Sequence, residues 1–264
     1  MSFIELKGVQ KSYRQGGLLG IRRRIGGLNG LDLKIMSGGC RGLLGASGCG
    51  KSTTGRLILG LEQPDEGHVL YKGRDLRELK GAERREFRRN SQVVFQNSHG
   101  AVNPRFQAWK IIGEPLMNFE KISIPELRVR AAGLLKKVGL SETDMDKLPH
   151  QFSGGELQRV CIARALALSP EFILFDEAVS ALDMLNQSLV LELLMELKRS
   201  TGTTFLFISH DMRVLLKVSD SIAVMEGGRI SFYADDLSEL ETSGAVSDPA
   251  LRSLAGAVLP PEPL

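Results

Sequence analysis

The chain has 264 residues, of which 42% are hydrophobic and 25% charged, the composition of a soluble globular protein with a sizeable core. No apolar run reaches the roughly 20 residues that a bilayer crossing needs, and the start Met1-Ser2-Phe3-Ile4-Glu5-Leu6-Lys7 lacks the charged and long apolar parts of a signal peptide. The formal net charge of +3 is too small to argue for nucleic acid by itself, so any action at a membrane requires docking onto something embedded there.

In chain order, Ile4 and Leu6, then Leu31, Leu33 and Ile35, alternate as half-buried strands do. The polar stretch between them, with Gly16, Gly17, Gly20, Gly26, Gly27 and the run Arg22-Arg23-Arg24, reads as a long hairpin connection. A third strand at Cys40–Leu44 runs into a glycine-rich loop and a helix over residues 51–59. Val93-Val94-Phe95 is a short strand ending at Gln96. Residues 97–150 carry helical patterning, with Leu127, Ala131, Leu134, Leu135 and Val138 on one face.

From Gly155 onward helices and buried strands alternate. The pattern predicts strands at Phe172–Asp176, Thr204–Ser209 and 222–225, a helix near 185–198, and a turn at Gly227-Gly228. Such alternation implies an α/β fold with a mostly parallel sheet and an inserted helical subdomain. The domain boundaries read 1–96, 97–158, 159–242 and a weakly ordered tail at 243–264. Cys40, Cys49 and Cys161 form no C-x-x-C pair and read as reduced thiols of a cytosolic protein.

Gly45-Ala46-Ser47-Gly48-Cys49-Gly50-Lys51-Ser52 fits the phosphate-loop pattern G-x-x-x-x-G-K-S/T. Glycines let successive backbone N–H groups point at phosphate oxygens, and the following helix adds its positive N-terminal end. Lys51 is expected to reach the β- and γ-phosphates of ATP, and Ser52 to bind Mg²⁺, with Thr53 beside it at the nucleotide. The strand ending in Asp176-Glu177 delivers Asp176 to the Mg²⁺ shell and sets Glu177 to polarise the attacking water. His210, at the end of the 204–209 strand, is placed to bond the γ-phosphate or steady that water. Gln96 offers a neutral amide to the metal or to water. His68, His99 and His150 lie in polar or turn-like surroundings and earn no functional claim.

Phe152-Ser153-Gly154-Gly155-Glu156-Leu157-Gln158-Arg159 resembles the signature motif of ATP-binding-cassette (ABC) ATPases, and the order of motifs from residue 2 to 235 is similar to that family throughout. Physically, Ser153 and the amides of Gly154 and Gly155 cap a helix N-terminus, a second anion cradle. The resemblance implies a P-loop NTPase, RecA-like core with an N-terminal antiparallel β part and an inserted helical subdomain. It implies two cassettes sandwiching ATP head to tail, with Ser180-Ala181-Leu182-Asp183 crossing between sites and Tyr13 stacking on adenine.

The commoner signature reads Leu-Ser-Gly-Gly-Gln. Here Phe152 and Glu156 replace the outer positions, and the extra charge of Glu156 is expected to slow hydrolysis at the partner's ATP without abolishing it. Ala101-Val102-Asn103-Pro104-Arg105, Leu157-Gln158-Arg159-Val160-Cys161 and Asp176-Glu177-Ala178-Val179-Ser180 resemble the ATPases of peptide and nickel importers, most of all the second ATPase of nickel importers.

That resemblance implies a motor at the cytoplasmic face of the inner or plasma membrane, paired with a second homologous ATPase or with itself. Its further partners are two permeases and, indirectly, an extracytoplasmic binding protein; no nucleic acid partner is expected. The alternatives are a dipeptide or oligopeptide importer ATPase, a nucleotide-sensing module outside transport, and an ABC protein acting on DNA or ribosomes. No cysteine follows Cys161, so the C-terminal iron–sulfur site of some relatives is not expected. Arg84, Arg85, Arg88 and Arg89 read as a solvated helix face, with contact to lipid headgroups or a neighbouring subunit as the alternative.

Overall fold

The computed structural model describes residues 2–16 and 22–237; Gly17, Gly20 and the tail expected at 243–264 lie outside them. The chain divides into two compact units, Met1–Arg84 with Thr204–Leu264, and Arg85–Thr203. Among the described residues no helix is long and apolar enough to cross a membrane.

In the first unit, β1 (Ser2–Gly16) pairs antiparallel with β2 (Arg22–Met36). The sequence alternation sets the register: Ile4 faces Ile35, Leu6 faces Leu33 and Val9 faces Leu31, all buried to within 1%. The polar stretch read as a connection is largely strand, since the β1–β2 ladder continues to Gly16 and Arg22. Its pattern is hidden by register shifts, at Val9/Gln10 and Ser12/Tyr13 among others. Each such bulge breaks the period of two on which strand reading rests. β4 (Glu66–Tyr71) adds to β1, and β5 (Arg74–Asp75) to β4, both antiparallel.

The same unit carries β3 (Cys40–Leu44), every residue of which is buried. It lies parallel between β8 (Thr204–Ser209) and β9 (Ser221–Glu226), and β10 (Arg229–Ala234) closes a hairpin on β9 across Gly227-Gly228. Register matters for function here. Leu44 stands opposite Ser209 on one side and Val224 on the other, so Gly45 and His210 leave the sheet at one carboxyl edge, the edge where such sheets bind ligands. α1 (Lys51–Ile58) and the short α7 (Met212–Val218) follow β3 and β8.

Arg41 is a charge inside that buried strand. One guanidinium nitrogen donates to Asp235 at 2.9 Å and the group lies 5.5 Å from the Tyr233 ring centre. Its other two nitrogens have no hydrogen-bond partner among the described residues. Burial pushes the Tyr233 hydroxyl up to about 12, against the lowering effect of this cation.

The second unit pairs β6 (Ser91–Phe95) in parallel with β7 (Phe172–Asp176). Phe95 stands opposite Asp176, which brings Gln96 and Glu177 to adjacent strand ends. Helices α3 (Ala108–Phe119), α4 (Ile124–Lys137) and α5 (Gly154–Leu166) pack together, and α6 (Met184–Thr201) follows. The predicted apolar face of α4 is buried at Leu127, Ala131, Leu135 and, just past the helix, Val138, with Leu134 half-buried. Gly113 leaves room for it, because a Cβ there would lie 2.6 Å from Leu127.

α2 (Gly81–Asn90) carries the basic cluster. Arg85 donates to the Asn118 carbonyl at 2.6 Å and lies over the Phe119 ring, while Arg89 bonds Glu120 at 3.0 Å. Two of the four arginines thus hold the C-terminal end of α3, where cations are favoured, rather than forming a wholly solvated face.

Candidate functional site

The loop between β3 and α1 is shaped by close approach and by backbone sign. Gly50 has φ 115° at the helix N-cap, a conformation costly for any residue with a Cβ. A Cβ there would also lie 2.7 Å from Met225 and 2.8 Å from Leu28. The β9–β10 turn braces the loop: the Gly228 N–H donates to the Cys49 carbonyl at 3.1 Å.

No side chain caps the N-terminus of α1 and no acidic residue lies in its first turn. A helix start of this kind suits an anion. Ala46, Ser47, Gly48 and Ser52 are exposed around it. Lys51 is 5% exposed, and its ammonium donates to the carbonyls of Gly45 at 2.7 Å and Ala46 at 3.0 Å. The cation is thus folded across the mouth of the loop.

Tyr13 is half-buried, with its hydroxyl 3.4 Å from the Thr53 hydroxyl on the first turn of α1. His210 is exposed at the end of β8. Next to it, Asp211 caps α7 through Arg213, whose guanidinium also holds the Asp211 carboxyl below its usual range.

The second unit assembles the remaining residues. Glu177 is one of three non-glycine residues with positive φ among the described residues, at 49°. Its carbonyl accepts from the Ser180 N–H at 3.1 Å and the Ser180 hydroxyl at 2.9 Å. The Ser180 hydroxyl in turn accepts from the Gln96 amide at 3.0 Å. Gln96, the end of β7 and the start of the Ser180–Asp183 loop therefore form one hydrogen-bonded group. A strained backbone held by surrounding bonds is the pattern found at functional sites.

Ser153 and Glu156 cap α5 reciprocally. The Ser153 hydroxyl accepts from the Glu156 N–H at 3.3 Å, and the Glu156 carboxylate accepts from the Ser153 N–H at 2.8 Å. That backbone bond holds the Glu156 carboxyl below its usual range. A glutamine here would make the same cap, so the exchange at this position preserves the geometry and adds only charge.

The family model described as ABC transporter matches residues 28–180. The chain belongs to the ABC transporter family. Among curated proteins of this ABC family, the nickel import ATP-binding protein NikE of Rhodospirillum rubrum is 43% identical over 259 residues, 97% of this chain and 91% of that protein. The NikE of Escherichia coli strain K12 is 41% identical over 267 residues, 100% and 97% of the two chains. The dimeric structure of the ABC transporter cassette MJ0796 superposes with a TM-score of 0.76 at 32% identity, covering 87% of this chain and 97% of that one. A post-hydrolysis state of MJ0796 bound to ADP and Pi matches equally, at 31% identity. The cbiO1 structure from Clostridium perfringens, at 23% identity and TM-score 0.77, shares the fold.

Some residues of this ABC chain that shape the site were not legible beforehand. Asn186 is the clearest. It sits on the first turn of α6, held by the N-cap Asp183 through bonds of 2.9 and 2.6 Å. A Cβ at Gly155 would meet its side-chain oxygen at 2.5 Å and its Cγ at 2.7 Å. The second signature glycine is therefore set by contact with the helix after the Ser180–Asp183 loop. The Asp-x-x-Asn spacing was the one available signal, and it announces only a cap. Gly155→Ala is expected to lower stability by about 1–3 kcal/mol through overpacking, read as a lower denaturant midpoint. Gly154→Ala, which meets only Leu182 at 3.9 Å, should be close to neutral.

Proposed function

We propose that this chain is the ATP-hydrolysing motor subunit of an ABC importer for nickel, working at the cytoplasmic face of a membrane against two permease subunits. The observation that carries this is the uncapped, acid-free N-terminus of α1 with Lys51 folded over the loop before it. Such a site favours an anion, and its glycine-rich loop with a lysine suits a polyphosphate.

In the working site the amides of residues 45–52 hold the phosphates, Lys51 swings from the loop carbonyls to the β- and γ-phosphate oxygens, and Tyr13 stacks on adenine. Ser52, Gln96 and Asp176 offer hydroxyl, amide and carboxylate oxygens, the hard donors that suit Mg²⁺, and would hold it. Bound there, the metal neutralises charge on the phosphates. Glu177 takes a proton from the attacking water, and His210 steadies that water or the γ-phosphate. Ser153, Gly154 and Gly155 cradle the nucleotide of a partner cassette, either a second homologous subunit or a copy of this chain. ATP-driven closure of that pair moves the permeases, because closed and open pairs differ in affinity for ATP. The NikE relatives support nickel as cargo, delivered to the permeases by an extracytoplasmic binding protein.

The test is reconstitution of the assembled transporter in vesicles with its binding protein. ATP turnover should rise with Ni²⁺ and be accompanied by Ni²⁺ uptake. Stimulation by dipeptides in place of Ni²⁺ would overturn the cargo while leaving the motor, and an absence of turnover under either would overturn both.

A further inference from the structure

Tyr13 is mounted at two points, both built from residues outside the phosphate loop at 45–52. Its backbone neighbour Ser12 is held by Asp65, which accepts from the Ser12 N–H at 2.8 Å and its hydroxyl at 3.0 Å. The Asp65 N–H returns a bond to the Gln10 carbonyl at 2.8 Å, and Lys11 reaches the Gln63 carbonyl at 2.8 Å. The segment after α1 therefore fixes the β1 backbone just before the tyrosine.

The second mount is at the ring's far end. The Tyr13 hydroxyl donates to Glu62 at 2.6 Å and accepts from Arg56 at 3.0 Å. Arg56 also donates to the second Glu62 oxygen at 2.6 Å and to the Thr53 hydroxyl at 3.2 Å. Tyr13, Glu62 and Arg56 thus form a closed triangle of charge-assisted bonds resting on α1. Burial raises the Glu62 carboxyl, but bonds from Tyr13 and Arg56 outweigh it and hold the group below its usual range. Arg56 and Glu62 are 40% and 26% exposed, so the triangle is shielded on part of its surface only.

An aromatic that stacks on a base needs its plane fixed beforehand; a ring free to rotate loses that freedom on binding and weakens the complex. We infer that Arg56 and Glu62 are positioning residues for the nucleotide base: they lock the Tyr13 ring, through its hydroxyl, in the pose that receives adenine. This rests on the reading of Tyr13 as the adenine platform. Neither residue touches phosphate in this scheme. Their effect is confined to the part of the ligand beyond the triphosphate.

Binding of two probes to the full chain, Mg-ATP and Mg-tripolyphosphate, separates the possibilities, because the second has no base. Glu62→Gln and Tyr13→Phe should each weaken Mg-ATP about tenfold, the scale of a charge-assisted hydrogen bond, and leave tripolyphosphate binding as in the parent. Their combination should be no weaker than Tyr13→Phe alone, since without the hydroxyl residue 62 has nothing on the ring to hold. In the assembled transporter the loss should fall on the KM for ATP rather than on the rate at saturation. If Tyr13→Ala weakens Mg-ATP while Glu62→Gln and Tyr13→Phe bind as the parent does, the positioning role is wrong and the adenine platform stands. Parent-like binding by Tyr13→Ala would remove the platform and the inference with it. Loss of tripolyphosphate binding in Glu62→Gln would show a general effect on the phosphate loop and overturn the inference.

Discussion

Glu177→Gln should bind ATP as tightly as the parent and turn it over about 10²–10⁴ times more slowly, the range lost when a general base is removed. What distinguishes Glu177 is its backbone at φ 49° and the two bonds its carbonyl accepts from Ser180, and none of these involves the carboxylate. Glutamine keeps the size of the side chain and loses the negative charge and with it the capacity to take a proton. The assembled transporter should therefore accumulate in its ATP-bound state, measured as retained nucleotide after rapid gel filtration, with single-turnover hydrolysis slowed to match. Normal turnover by the Glu177→Gln complex would assign the attacking water to another residue.

Lys51→Ala acts on the opposite quantity. Loss of the ammonium removes charge-assisted bonds to two phosphates and should weaken ATP by about 100-fold or more, read by calorimetry. The same change leaves the carbonyls of Gly45 and Ala46 without the bonds they receive at 2.7 and 3.0 Å. That costs stability of about 1 kcal/mol, or a fall in Tm of about 2–4 °C. The two effects are separable. A folded Lys51→Ala protein with a slightly lower Tm and lost nucleotide affinity is the expected result. Retained affinity would mean that the loop amides alone hold the triphosphate.

The two changes fall in different units. Lys51, Tyr13 and His210 belong to the first unit, and Gln96, Glu177 and the Ser153–Glu156 cap to the second.

How much of this could be read without coordinates depends on how far apart in sequence the interacting residues lie. The phosphate loop, the Asp176-Glu177 strand end and the Ser153–Glu156 cap were legible because each is contiguous: a strand, a turn and a helix start follow one another within a few residues, and their spacing is their geometry. The buried strands at Cys40–Leu44, Phe172–Asp176 and Thr204–Ser209 were legible as continuous apolar runs. The long β1–β2 hairpin was not, because its bulges change the face of successive residues and its glycines read as a loop.

Local order in the chain was enough to determine the fold class and the family to which the protein belongs, and to propose the residues that face a triphosphate. Only the folded chain decided why particular glycines are required, which arginines are already engaged, and what holds Tyr13, Glu177 and Gln96 in place. Gly155 answers to Asn186, Gly50 to Met225, and Tyr13 to Glu62 and Arg56. The physical reason is that a hydrogen bond or a van der Waals contact depends on distance in space. Between segments brought together by tertiary packing, no spacing along the sequence encodes that distance.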